Sequence, residues 1–398
     1  MPLPPPRKNR RSPPSSPPPL VGERLRGSLF GLWLGERMGA SMRGLCFPLP
    51  EFPSLYIKPK AVGPPLRYPR EYGLPLGFAC SVAHCLFEKR EFLLGELLLA
   101  FRRYATLLYQ TGVLPPPTST LEEAPSPTEY TSTEENTPPP PSLESGLAWA
   151  LEQFPRFHCT EAFLTFSAHA PPPPPPISDT VLLLALPLAC FLYAHTPQRI
   201  AAVAQTALAM HTGPLGALAS VALAALTSES ILSKQPCAPM ADLLEAMHRD
   251  LSQTAFNLLQ MGVGPASSVQ QAQTFLLEDI AFAQKHNPNL YGPALNLRQH
   301  AGHLRLSFRL ALWELFHAPE STPGNAVEDV IRRGGSPTTQ GALVASLCGA
   351  RWGKTCLPQP TGLEFSPPPA SPPPPPAFRN ASFLEALAEA MVANLNKI

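Results

Sequence analysis

The stretch EDVIRRGGSPTTQGALVASLCGARWG, Glu328 to Gly353, carries a turn signal, a helix start and a run of small residues in that order. Gly334 and Gly335 permit a tight turn, Ser336 is a good N-cap, and Pro337 suits the first helical position, where its missing N–H costs nothing. A helix is therefore expected from Pro337 to about Ala350. Gly341, Ala342, Ala345, Ser346 and Gly349 keep it slim, as a helix in a crowded centre requires. At its mouth, where polar groups would face a ligand, stand Ser336, Pro337, Thr338 and Thr339, none of them an acid.

A second slim helix is expected near the other end of the chain. GERLRGSLFGLWLGERMGA is apolar at helical spacing, with glycines at 27, 31, 35 and 39. Small residues every four positions form a stripe that lets another helix approach closely. Helical patterns return over 76–108 with a break near Lys89 to Phe92, then over 143–153, and over 179–226 with one turn at Thr212, Gly213 and Pro214. Further helices fit 238–261, 266–285 and 297–317. No alternating run of β-branched residues requires a sheet, so the fold class is all-α, a compact multi-helix bundle with long Pro-rich loops.

Composition bounds the rest. The 54 prolines among 398 residues concentrate in runs such as Pro171 to Pro176 and Pro372 to Pro376, which favour extended backbone outside helices. Residues 1–22 are expected as a disordered Pro/Arg-rich tail and 23–365 as the domain, with ordered chain beginning near Glu23. Flexible insertions are expected at 111–142 and 166–177. A linker at 366–379 then leads to an amphipathic helix at 380–398. Thirty basic against 29 acidic residues exclude a surface shaped wholly for nucleic acid or anionic membrane. Nucleic acid remains an option only through the basic tail, Arg7 to Arg11. Eight cysteines without a CxxC pair read as small core residues of a reducing compartment. The apolar run Val181 to Ala194 is too short to span a bilayer. The expectation is an intracellular protein, cytoplasmic or organellar and not secreted, without a membrane span.

The turn and helix at Gly334 to Gly353 resemble the C-terminal signature of the ADP-ribosylglycohydrolases, the family of the dinitrogenase-reductase-activating glycohydrolases and J1 crystallins. That signature reads Gly-Gly-Asp-x-Asp-Thr, followed by a small-residue helix ending in Gly-Ala-x-x-Gly; here the end is Gly349, Ala350, Arg351, Trp352, Gly353. Four further blocks are similar in the same order. GSLFGLWLGERMGA resembles the opening glycine stripe, with Glu36 at its acid, and EYGLPLGFACSVAHCLFE resembles the Glu-Tyr-Thr-Asp-Asp-Thr segment. SDTVLLLALPL, beginning at Ser178 and Asp179, resembles a Ser-Asn-Gly motif, and AMHTGPLGALASVALAAL, with His211, a Thr-His segment.

The resemblance implies two magnesium ions held by the Thr-Asp-Asp and Asp-x-Asp-Thr groups. Carried over, the first group becomes Gly73, Leu74 and Pro75, and the second becomes Ser336, Thr338 and Thr339. All four aspartates are replaced, and hard divalent cations need charged oxygen ligands. No metal, no other cofactor and no catalytic residue are therefore expected. Arg332 and Arg333 beside the site disfavour cations further, and are read either as surface charges or as an anion-binding pair. Glu36 is read as paired or solvent-facing before it is read as an acid or base. His300 and His303, at HxxH spacing without a third ligand, are read as surface histidines, and His211 as a structural hydrogen-bonder.

These readings lead to a catalytically inactive member serving as a structural or interaction subunit, with protein partners, a large complex among them. The alternatives are a non-hydrolysing ADP-ribose or nucleotide-binding module, and a divergent hydrolase working through Glu36. A residual ligand cleft would be lined by Glu36, Ser178, Asp179, His211, Arg332, Arg333, Gly334 and Gly335.

Overall fold

The computed structural model describes residues 20–42, 74–110, 179–210, 212–285, 302–318 and 322–358. Residues 1–19 of the expected tail at 1–22, the insertions at 111–142 and 166–177, the helix at 143–153, the linker at 366–379 and the helix at 380–398 lie outside the described residues, as do Gly73, Ser178, His211 and His300, whereas residues 20–22 of that tail are helical.

Among the described residues there are eleven α-helices and no β-strand, so the fold is all-α. They are α1 (Leu20–Met42), α2 (Leu74–Lys89), α3 (Leu94–Gln110), α4 (Thr180–Phe191), α5 (Thr196–Ala209), α6 (Gly213–Leu232), α7 (Met240–Gln260), α8 (Ala266–Ala283), α9 (Leu304–His317), α10 (Gly324–Arg332) and α11 (Pro337–Trp352). A short 3-10 turn, Lys354–Cys356, follows α11.

The glycine stripe finds its partner at the far end of the chain. Helices α1 and α11 lie antiparallel, with Gly27 against Gly349, Gly31 against Ala345, Gly35 against Gly341, and Gly39 against Pro337. A Cβ built on Gly35 would overlap the Gly341 carbonyl and lie 2.6 Å from Ala342 N. One built on Gly349 would overlap the Gly27 carbonyl and lie 2.8 Å from Ser28 N. Backbone therefore packs directly on backbone, where dispersion and Cα–H···O contacts replace side-chain interdigitation. In this dry seam Ser28 and Ser346 satisfy each other, Oγ to Oγ at 2.8 Å.

Around the seam sit α4 and α6, both buried along nearly their whole length. Because α6 touches α1, α4, α5, α7, α8 and α11, it has no solvent face and shows no amphipathic period. By length and composition α6 could cross a membrane, a point that inspection of Val181 to Ala194 alone does not reach. Here 83% of its apolar window is buried inside the bundle.

Several boundaries differ from expectation; α6, expected to end at Leu226, runs on to Leu232. Helix α1 begins at Leu20, ahead of Glu23, and α9 begins at Leu304. The segment 179–226 has a second break at Leu192 to His195, before Thr196 and Pro197. Proline in the first turn of α5 was the readable signal, masked by continuous Ala/Leu composition. The expected breaks at Lys89 to Phe92 and at Thr212 are where the helices part.

Candidate functional site

The turn before α11 is built as its glycines allow. Gly334 and Gly335 have φ of 78° and 75°, a region that a side chain strains, and Pro337 opens the helix. Ser336 occupies the N-cap position but makes no side-chain capping bond; only its carbonyl takes part, accepting from Gln340 N at 2.9 Å. The expected hydroxyl cap is thus corrected to a positional one.

Three helix starts converge just inside this mouth. Asp179 is the residue before α4, Ser307 is the fourth residue of α9, and Gln340 the fourth of α11. Ser307 Oγ donates to Asp179 Oδ2 at 2.7 Å, and Gln340 Nε2 donates to the same oxygen at 3.4 Å. Asp179 N donates to the Gly302 carbonyl at 3.0 Å, tying in the segment that leads to α9. Arg305 and Arg309, on either side of Ser307, both pair with the buried Asp279 of α8 and fix the start of α9.

Asp179, Ser307, Thr339 and Gln340 are each fully buried. Helix N-termini and donated bonds favour a carboxylate, yet burial outweighs them and pushes the Asp179 carboxyl up to about 6. Hydrogen bonding is also incomplete. Asp179 Oδ1, Gln340 Oε1 and Thr339 Oγ1 have no hydrogen-bond partner among the described residues.

Glu36 lies on α1 beside seam residue Gly35 and is buried, which removes the solvent-facing half of its expected reading. Burial, with the Glu36 charge adding to it, pushes the nearby Cys80 thiol up.

The two arginines differ. Arg332 forms a partly exposed i,i+4 pair with Glu328 at 3.3 Å. Arg333 is buried, correcting the surface reading, and its Nε donates to Asp329 Oδ2 at 2.7 Å. The same Nε lies 3.2 Å from Glu314 Oε1, close enough for charge but without hydrogen-bond alignment. Burial first, then the Asp329 charge, holds the Glu314 carboxyl well above the usual carboxylate range. Arg333 also lies over the Trp313 ring, 5.5 Å from its centroid. Arg333 thus latches α9 and α10 to the glycine turn, which leaves it poorly placed to serve an anion.

Leu74 and Pro75 open α2 as its first residues. His303 is the N-cap of α9, its Nδ1 accepting from Leu306 N at 3.5 Å, so this member of the HxxH pair has a structural employment. The structure joins Asp179 and Thr339 to a common buried region, and adds Ser307 and Gln340, which sequence reasoning missed. A serine and a glutamine inside otherwise apolar helical faces were the available signals.

As a cation site the described part of the mouth offers hydroxyls, an amide and the lone carboxyl of Asp179, without a second carboxylate beside it. Among the described residues no group of three or more His, Cys, Asp or Glu side chains comes together as a metal site. The described residues of the mouth do not supply the set of carboxylates that a pair of divalent cations needs.

Comparison with known proteins adds the following. A family model described as ADP-ribosylglycohydrolase matches residues 17–389. A solved structure titled "ADP-ribosylglycohydrolase-related protein complex" is similar over 94% of this chain and 98% of its own, with a TM-score of 0.53 and 17% identity. At that identity the likeness concerns the fold. No curated protein matches the chain.

Proposed function

Because this chain belongs to the ADP-ribosylglycohydrolase family, we propose that it keeps the family scaffold as a structural or interaction subunit of a larger assembly and has given up hydrolysis. The observation that carries this reading is the contrast along α11. Its body keeps the small residues that the α1 seam requires, whereas its mouth reads Ser336, Pro337, Thr338, Thr339. Two divalent cations there would bring four positive charges against hydroxyls, an amide and the single carboxyl of Asp179, and each imperfectly compensated buried ion costs several kcal/mol. The replacements serve the helix instead, since Pro337 starts it without an unsatisfied N–H. Asp179 already places a carboxyl where three helix N-termini meet, the position in which a bound anion would be favoured.

Isothermal titration with magnesium or manganese and with ADP-ribose, beside a glycohydrolase assay, tests the reading. The expected result is neither metal binding nor turnover; metal-dependent hydrolysis overturns it.

A second reading, a non-hydrolysing ADP-ribose or nucleotide module, is favoured by the unpartnered oxygens of Asp179, Thr339 and Gln340. It requires ADP-ribose to raise the melting temperature, and Asp179→Asn to change that shift. A wild-type melting curve that ADP-ribose leaves unmoved removes it.

A further inference from the structure

We infer that the hairpin formed by α7 and α8 is a self-association surface, through which a second copy of this chain docks. From Leu251 to Leu277 the sequence LSQTAFNLLQMGVGPASSVQQAQTFLL holds no Asp, Glu, Lys, Arg or His. In a chain with 15% charged residues, about four would be expected over that length.

A comparable charge-poor segment, Ile200 to Ser228, is explained by burial, because α6 lies inside the bundle. Burial does not explain Leu251 to Leu277, where half of the residues are exposed. Large apolar side chains stand among them. Phe256 is 58% exposed, Met261 45% and Leu259 36%. Meanwhile Leu251, Thr254, Ala255 and Leu258 on the opposite side of α7 are buried. The presenting edge is well defined, since Gly262 and Gly264 adopt φ of 65° and 76° in the short turn to α8.

The composition favours a second copy over a different partner. In a two-fold contact the same face meets itself, so any net charge on it meets its own sign. Between Arg249, 54% exposed, and Glu278, 63% exposed, the presented stretch carries no charge and adds no such repulsion, whereas contacts between unlike proteins commonly use complementary charges for steering and register. Exposed amides along this stretch are Gln253, Gln260, Gln270 and Gln271, with Gln253 donating to Asn257 Oδ1 at 2.9 Å. An amide both donates and accepts, so it complements an identical amide in a way that lysine or glutamate cannot. An aromatic, a methionine and a leucine in a charge-depleted setting are what the centre of a protein interface holds.

The test is the mass of the full chain by size exclusion with light scattering, loaded at up to about 100 µM, a hundred times a micromolar Kd. The wild type is expected at twice the chain mass. The double variant Phe256→Glu, Leu259→Glu should run at one chain mass with an unchanged circular dichroism spectrum, and its unfolding midpoint should no longer rise with protein concentration as the wild type's does. The control Glu91→Lys, an exposed change on another element, should leave the dimer intact. A wild type that stays at one chain mass at every load overturns the inference. So does a dimer that survives the double variant, or an interface filled by a different co-purifying protein. None of these outcomes touches the metal titration, so the two proposals fail independently.

Discussion

The body of α11 and its mouth, within one helix of 16 residues, obey opposite packing rules. Along the body, Gly341, Ala345 and Gly349 meet the α1 glycines backbone to backbone, and the buried hydroxyls of Ser28 and Ser346 satisfy each other. At the mouth, Thr339, Gln340 and Asp179 bury polar atoms, several of them without partners. Nature closes an interior tightly where shape alone matters and tolerates incomplete hydrogen bonding where a site is or was. The difference therefore separates a part of α11 set by close packing from a part that keeps buried polar atoms unpaired among the described residues.

The sharpest way to break the seam is Gly35→Leu. The Gly341 oxygen stands where the Cβ would go, and neither helix has a side chain there to yield. The expected loss exceeds about 5 kcal/mol, the low end of domain stability, so the protein should not fold. Soluble yield and far-ultraviolet circular dichroism check it, and a folded variant would mean that the seam is looser than described.

Next in size is Arg333→Met, which tests whether ion pairing holds the mouth. It leaves Asp329 and the buried Glu314 without their cation and should cost about 3–5 kcal/mol in urea unfolding. Arg332→Met removes only a partly exposed pair, for which about 0.5 kcal/mol is expected. Equal losses at the two positions would remove the latch assigned to Arg333.

Asp179→Asn goes the other way. The folded carboxyl, pushed up to about 6 by burial from its ordinary 3.8, holds its proton more tightly than the unfolded one. Below about pH 3 the group is neutral in both states, and as pH rises from about 3 to 6 the folded state loses stability relative to the unfolded. The asparagine variant escapes that loss. Its advantage over wild type should be near zero at about pH 3, grow to pH 6, and level at up to about 3 kcal/mol above it. Urea midpoints across that range measure it, and a pH-independent difference would show that Asp179 does not titrate there.

The smallest effect uses another glycine as a foil. Nothing lies within 4 Å of a Cβ on Gly95, in the first turn of α3. Gly95→Ala should stabilise by about 0.5 kcal/mol, because alanine has less backbone entropy to lose and better helix propensity. Thermal unfolding measures it. Destabilisation would mean that glycine is needed in α3 for a reason other than space.

Much of the fold was legible in the sequence. The glycine spacing from Gly27 to Gly39 and the Gly334–Gly335–Ser336–Pro337 helix start both depend on local sterics, which neighbouring residues determine. The break at Leu192 was obscured because apolar composition reads alike in one buried helix or two. At the site, Asp179 and Thr339 stood out through family resemblance. Ser307 and Gln340 did not, because a lone polar residue in a buried helix gains meaning only from what faces it.

The sequence by itself determined that the chain is helical, that two of its helices are slim enough for close approach, and that its signature mouth lacks acids. These follow from side-chain size, backbone freedom and ligand chemistry residue by residue. Only the tertiary structure decided that the two slim helices are each other's partners, that Arg333 is buried between carboxyls, and that Asp179 lies where three helix starts converge. Contacts between residues hundreds of positions apart depend on how the whole chain buries its apolar surface, and no local pattern encodes that pairing.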